Sequence, residues 1–450
     1  MENQGASARK SPLLNMLISK NVCKEEEDLK GRITFTSSND KLNRGFAWAK
    51  EQALSYSHEG DLVGDWYEAA LPGRMSFCIR DVAHHAVGAE ILGLRGHTKN
   101  MLRRFVQNIA KSRQYCTFWE IDRDYRPCPV DYASDEDFWY NLPANFELLD
   151  VCFRMYMLTG DSDYILDEDF VRFYDWTIQQ YAVWWDQDGD FLLERKYPSS
   201  RLGIPSYCED DRFENAEALV DMLAIEIRGY RSAAEIYRLR GEKEAEKMCV
   251  YRAESLQKML EEQWWDESEE TFYQVKENGG KLSHSPEMGH GLSLLYYNVI
   301  EDKHKRSCHT ETLHNYSVEN RARVNVESMS HYPELFFRLG EDEKAYYWLK
   351  EMIDPELVRR EYPEVSYAVV GNYICGIAGI HVNAPKKEVT IAPALAEEAE
   401  WFEITNCPML DGEADIVMKD GKITFGNRTE QNISVNGNIV EPGAVLTVEA

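Results

Sequence analysis

Several stretches of the chain put acids beside aromatics, histidines or arginine at the edge of an apolar run. In Phe77-Cys78-Ile79-Arg80-Asp81-Val82-Ala83-His84-His85, Arg80 and Asp81 stand at the head of such a run. His85 follows Asp81 by four residues, so on a helix the two share a face. Phe118-Trp119-Glu120-Ile121-Asp122 and Asp135-Glu136-Asp137-Phe138-Trp139-Tyr140-Asn141 alternate aromatics with acids. Tyr207-Cys208-Glu209-Asp210-Asp211-Arg212 sets three acids in a row before a long periodic segment. Asn325-Val326-Glu327-Ser328-Met329-Ser330-His331 spaces Glu327 and His331 as i and i+4, and Tyr362-Pro363-Glu364-Val365 opens the last apolar run with an acid.

Each stretch also has a plain structural reading. Asp81, Asp211 and Glu364 sit where N-caps and first-turn acids are welcome, and the loop around Trp139 could be a solvated acidic face. Carboxylates in convergent pairs do more than this. One held protonated can donate a proton while another, ionised, activates a water, which is how glycosidic bonds are broken. On that reading the general acid is Glu209 or Asp210, raised by its like-charged neighbours, with Asp211 capping the helix beside the substrate. The general base is Glu327 or Glu364. Arg80, Asp81, His85, Glu120 and His331 would hold hydroxyls, and Trp119 and Trp139 would stack on sugar rings.

Other chemistries find little support. There is no HExxH, GxSxG or P-loop pattern. Asp186-Gln187-Asp188-Gly189-Asp190 has its Gly too early for a calcium loop and reads as an acidic turn. Glu287-Met288-Gly289-His290 has di-iron spacing but no second copy. No metal ligand and no cofactor is expected. The ten Cys scatter without a CxxC, which points to reduced thiols. Met1 is followed by a polar segment without a signal-type apolar run, so a cytoplasmic location is expected and the sequons at Asn315 and Asn427 carry no weight. No window approaches the roughly 18 apolar residues of a membrane span. A net charge of −28 repels nucleic acid and anionic membranes. The expected partner is a small carbohydrate; nothing in the sequence speaks to oligomeric state.

Positioning these groups falls to helices. With 44% hydrophobic residues in 450, the chain can bury a large core. Periodic segments pair as hairpins: 81–94 with 98–112, 142–158 with 164–185, 212–239 with 243–264, 288–300 with a polar stretch through Asn315, and 330–339 with 343–352. Leu158-Thr159-Gly160-Asp161, Leu239-Arg240-Gly241-Glu242 and Leu339-Gly340-Glu341-Asp342 share a grammar, a Gly ending one helix and an acid starting the next. A first helix at 41–57, with N-cap residues in Ser37-Ser38-Asn39-Asp40, and a last apolar one at 365–377 complete about twelve helices. If those two pair, six hairpins close into a ring, an (α/α)6 barrel. After residue 380 short strands take over, with Asp420-Gly421 and Asn436-Gly437 as hairpin turns. The expected division is an N-terminal extension with one strand (1–40), a catalytic barrel (41–380) and a small β-sandwich (381–450).

At this level the chain resembles the six-hairpin glycosidases, in particular their α-L-rhamnosidase-like branch, over roughly residues 33–450. The likeness rests on Thr36-Ser37-Ser38-Asn39-Asp40-Lys41-Leu42-Asn43 leading into the first helix and on the Arg80-Asp81 pair. It rests also on Tyr362-Pro363-Glu364 through Gly376-Ile377-Ala378-Gly379-Ile380, and on Ile391-Ala392-Pro393-Ala394-Leu395. The chain departs from the branch in having only about 40 residues before the barrel and no recognisable Cys-Pro and Arg-Glu stretch before a general acid. The resemblance implies an exo-acting, inverting hydrolase, with Arg80-Asp81 near the sugar at the cleavage point. A sugar epimerase using His84, His85, His290 or His331, a glycoside phosphorylase, and a non-catalytic carbohydrate-binding protein are the alternatives.

Overall fold

Asn39 shows how the first elements are set. It ends strand β1 (Thr34–Ser37) and caps helix α1 (Asp40–Ser55), its side-chain oxygen accepting from the Lys41 amide at 2.9 Å. The computed structural model describes residues 29–197, 200–207, 216–285 and 291–450. Besides the short turns Asp163–Leu166 and Ala182–Trp185, the helices that follow are α2 (Ile79–Ile91), α3 (Arg95–Gln107), α4 (Pro143–Thr159), α5 (Glu168–Trp176), α6 (Val220–Arg240), α7 (Lys243–Gln263), α8 (Leu292–Tyr296), α9 (Lys303–Glu319), α10 (Val326–Met329), α11 (Tyr332–Leu339), α12 (Asp342–Met352) and α13 (Pro363–Gly371). A π-helical turn, Asn372–Ile377, continues α13.

Helices α2, α4, α6 and α13 are buried nearly all round, as inner helices must be. They meet in sequence. α2 packs on α4, α4 on α6, α6 on α8, α8 on α11, α11 on the turn after α13, and α13 back on α2. The partners α3, α7, α9 and α12 pack on α2, α6, α8 and α11, and α1 packs on α13. Gly160, Gly241 and Gly340 cap α4, α6 and α11 at φ of 73°, 79° and 74°, a conformation costly for residues with a Cβ. Gly88 has another reason: a Cβ there would lie 2.2 Å from the Tyr367 carbonyl oxygen, so only Gly lets α2 and α13 approach this closely.

Three segments differ from the sequence expectation. Residues 216–219 form a strand paired with Val275–Glu277, and the long helix starts only at Val220. Alternation in Ala216-Glu217-Ala218-Leu219 is too short to separate from a helical period. In the 288–300 run, helix is confined to Leu292–Tyr296 among the described residues, and Asn298 turns left-handed at φ 52°. The polar stretch after it is the seventeen-residue α9. Only His309, Thr310, Leu313 and Ser317 of α9 are buried, so no clear apolar stripe marks it.

The last residues build two sheets. Strands β2 (Ile380–Asn383), β3 (Glu388–Ile391), β7 (Ile433–Val435) and β8 (Asn438–Val440) run in that order, with β3 and β7 parallel. The other sheet has the order β1, β4 (Phe402–Met409), β5 (Gly412–Lys419), β6 (Lys422–Asn427) and β9 (Val445–Glu449), all antiparallel. The N-terminal strand is thus an edge of the C-terminal sheet. Phe35 on β1 joins the two parts, its ring 4.9 Å from Tyr373, 5.6 Å from Phe46 and 6.0 Å from Phe402. No helix among the described residues is long and apolar enough to cross a membrane.

Candidate active site

The first turn of α2 places Arg80 and Asp81 beside the starts of α10 and α13, which carry Glu327 and Glu364. These four groups share one locale. Arg80 Nε lies 3.6 Å from Asp81 Oδ1. The Glu364 carboxyl is buried and held well above the usual carboxylate range, first by burial and then by the charges of Asp81 and Glu327. Asp81 is raised as well, by burial, against the pull of Arg80. Glu327 Oε1 is 3.6 Å from the Arg359 guanidinium, while its Oε2 is buried without a hydrogen-bond partner among the described residues. Arg80 also reaches the other wall, 5.7 Å from the centre of the Tyr207 ring.

That wall is built by α4. Tyr207 donates its hydroxyl to one oxygen of Glu147, and Tyr297 donates to the other at 2.8 Å. Burial pushes the Glu147 carboxyl up to about 7, the two phenols working against it. Each carboxyl oxygen accepts one phenol, so Glu147 positions the two tyrosines. The loop bearing Tyr207 is tied down by Asp221 of α6, whose Oδ2 accepts from the Ser206 hydroxyl (2.8 Å) and the Tyr207 amide (2.7 Å).

Between the two walls lie two stacked imidazoles. His84 and His331 face each other at 3.8 Å with their planes 14° apart. His84 Nε2 is 3.0 Å from the Ser330 hydroxyl, and His331 Nδ1 is 2.8 Å from the Glu327 carbonyl oxygen. Burial lowers both, His331 to about 4, so the pair is neutral at pH 7. Tyr296 packs edge-on against His331 at 4.8 Å.

Of the residues singled out in the sequence, Arg80, Asp81, Glu327, His331 and Glu364 come together. Trp119 is buried at their margin, 6.2 Å from Tyr207. His85 is elsewhere. It is fully buried and stacks on Tyr367 at 5.0 Å, with neither ring nitrogen hydrogen-bonded among the described residues. One turn beyond Asp81 the helix face it shares has already turned into the α2–α13 contact. Glu120, expected to hold a hydroxyl, is buried and taken up by Arg74 (2.7 Å) and the Ser76 hydroxyl. Trp139 is half-buried and donates its indole N–H to Asn141 at 2.6 Å, bracing the segment beside residues 202–204. Glu209, Asp210 and Asp211, and with them Glu287 and His290, lie outside the described residues.

Glu147, Asp221 and Tyr297 were not singled out as site residues from the sequence, and His84 only as a base for the epimerase alternative. A signal for Glu147 was present: Glu147 and Asp150 are acids within the Pro143–Cys152 segment, which apart from them and Asn145 is apolar. In the Asp186–Asp190 turn, Asp186 accepts from the Gly189 amide at 2.8 Å. The cation among these acids is Lys276, 2.6 Å from Glu194 and 3.5 Å from Asp190.

No family model and no curated protein matches the sequence. Solved structures do match in fold. A GH78 family rhamnosidase of Bacillus sp. GL1 aligns with a TM-score of 0.62 and 12% identity over 88% of this chain and 41% of its own. The α-L-rhamnosidase from Aspergillus terreus gives 0.61 and 14% over 94% of this chain and 50% of its own. A metal-independent α-mannosidase from Streptococcus pneumoniae gives 0.50 and 10% over 74% of this chain and 93% of its own. At such identities the likeness is one of fold, and the chain spans half or less of the two rhamnosidases' lengths.

Proposed function

We propose, from that shared fold and the acids gathered at Arg80, that this chain is a glycoside hydrolase with an (α/α)6 barrel and a C-terminal β domain, cleaving a small sugar substrate with inversion. The inner-helix contacts that return to their start support the barrel; the two sheets after residue 380 support the second domain. The described cysteines are free thiols, in keeping with a reducing cytoplasm.

The observation that carries the chemistry is Glu364. Burial beside Asp81 and Glu327 favours its protonated form, the form that can protonate a leaving oxygen. Glu209 and Asp210, the donors expected from the sequence, lie outside the described residues. Glu327 is the base: its buried Oε2 has no hydrogen-bond partner among the described residues and can accept from an attacking water. Inversion needs the two carboxyls about 6.5–9.5 Å apart across the substrate. Asp81 and Arg80 grip hydroxyls beside the scissile bond, and Tyr207 offers its ring edge.

A panel of aryl glycosides and oligosaccharides, followed by NMR for the anomer released first, tests this reading. On the substrate found, Glu364→Gln and Glu327→Gln should each lose about 10²–10⁴-fold in kcat. Near-normal turnover in both would remove the assignment.

The stacked His84–His331 pair favours a second reading, sugar epimerisation by a neutral imidazole base. Deuterium entering a sugar carbon from solvent, without release of a shorter sugar, would select it.

A further inference from the structure

Away from these groups, three side chains of different chemistry converge where α9 crosses the hairpin of Trp265–Asp266 and Thr271–Phe272. Asp302 caps α9, accepting from the His304 and Lys305 amides at 2.8 and 3.0 Å, and so fixes the turn that carries His304. Cys308 follows at i+4 on the same face. Glu270 ends the hairpin loop with φ 47°, left-handed, and points its carboxylate at the same spot.

We propose that Glu270, His304 and Cys308 bind a divalent ion of the zinc class. The reasoning is geometric. Zinc takes sulfur at about 2.3 Å and nitrogen or oxygen at about 2.0–2.2 Å in a tetrahedron, so its ligand atoms stand about 3.3–3.6 Å apart. Cys308 Sγ lies 3.8 Å from His304 Nε2, which lies 3.6 Å from Glu270 Oε1. One ligand atom from each residue falls within 4.8 Å of the other two. Closing the set takes only small torsions of two exposed side chains. Thiolate, imidazole and carboxylate together select zinc, cobalt or cadmium over calcium or magnesium, which prefer oxygen alone. With three protein ligands the fourth position stays open to water, so the ion is exchangeable. It would pin the hairpin to the first two turns of α9.

Among the described cysteines, Cys308 is also the thiol such an ion would meet. Cys78, Cys116, Cys128, Cys152, Cys249 and Cys407 are buried, and burial holds the Cys375 thiol up at about 12. The test is titration of the full chain, reduced and stripped with chelator, with cobalt(II) alone. Thiolate-to-cobalt charge transfer absorbs in the near ultraviolet and reports sulfur ligation directly. The expected result is one equivalent of cobalt with that band, displaced by zinc. Cys308→Ser should abolish the band. His304→Gln and Glu270→Gln should weaken binding at least as much as the roughly 10–100-fold that loss of an outer-sphere partner costs. Metal should also raise the Tm of the wild type and not that of Cys308→Ser. All three positions are partly or well exposed, so these variants retain the fold, which circular dichroism checks. No band, or a band undiminished in Cys308→Ser, overturns the proposal.

Discussion

Two acids three residues apart on α4 face opposite fates. Glu147 and Asp150 are both buried, on the same inner helix, one turn apart. Burial pushes both carboxyls up. At Asp150 the charges of Arg228 and Arg154 and the Ser232 hydroxyl outweigh it, and the acid ends below its usual range. Arg228 is 2.7 Å from one oxygen and Arg154 2.9 Å from the other. At Glu147 the hydrogen bonds come from two phenols, with the more distant charges of Arg154 and Arg80 behind them; burial outweighs all four and the carboxyl ends near 7. A buried charge with its own cations is a fastener. One held by neutral donors is poised between two protonation states. Glu364 extends the series, since it meets like charges where Asp150 meets opposite ones. Compensation, and not depth, separates the structural acid from the candidate functional ones.

The largest effect should come from undoing the fastener. Asp150→Asn strips the counter-charge from Arg154 and Arg228. Breaking a buried pair costs about 3–5 kcal/mol, and we expect the lower part of that range because both guanidiniums keep some access to water. Urea unfolding measures it; a loss below about 1 kcal/mol would mean that the pair is solvated and the contrast with Glu147 is false.

A smaller effect should appear at Glu147, with opposite sign in pH. Its folded pKa of about 7 lies above the ordinary 4.5, so the folded state holds the proton more tightly than the unfolded state does. Stability from this group is full below pH 4.5 and is lost as pH rises through 7. Asp150 does the reverse: its folded pKa is depressed, so its contribution is present at neutral pH and lost in acid. Glu147→Gln cannot ionise. Measured against it, the wild type should lose about 2–3 kcal/mol between pH 5 and pH 8. A flat difference would show that Glu147 ionises as it does in water.

The same distinction explains what could be read in advance. The helical hairpins were legible because Gly caps and apolar stripes are local, and Gly160, Gly241 and Gly340 sit at the turns the sequence marks. α9 was not, since a helix held by a few contacts leaves no stripe. At the site, Arg80, Asp81, Glu327 and Glu364 stood out because acids at helix starts beside Arg, His or Pro are visible locally. The division of labour between Glu147 and Asp150 was hidden: it depends on Arg228, Tyr207 and Tyr297, which reach α4 from 60 to 150 residues away. His85 misled for the converse reason. The i, i+4 rule puts it on the face of Asp81 but says nothing of how soon that face meets α13.

The smallest and most discriminating change is Tyr207→Phe. It keeps the ring beside Arg80 and Trp119 and removes one hydroxyl. One Glu147 oxygen is then buried without a donor, at a cost of about 1–3 kcal/mol when the acid is charged. Because that hydroxyl pulls the Glu147 pKa down, its loss should move the stability transition of Glu147 above pH 7. Tyr297→Phe should do the same from the other oxygen, since its bond is of ordinary length. The double variant should then cost less than the sum of the two, as a carboxylate with neither phenol takes up a proton in the core and so caps the penalty. If the single variants instead leave the pH dependence unmoved, water already serves Glu147. The acid would then belong with the solvated groups, and Tyr207 would be held by Asp221 and the Ser206 loop alone.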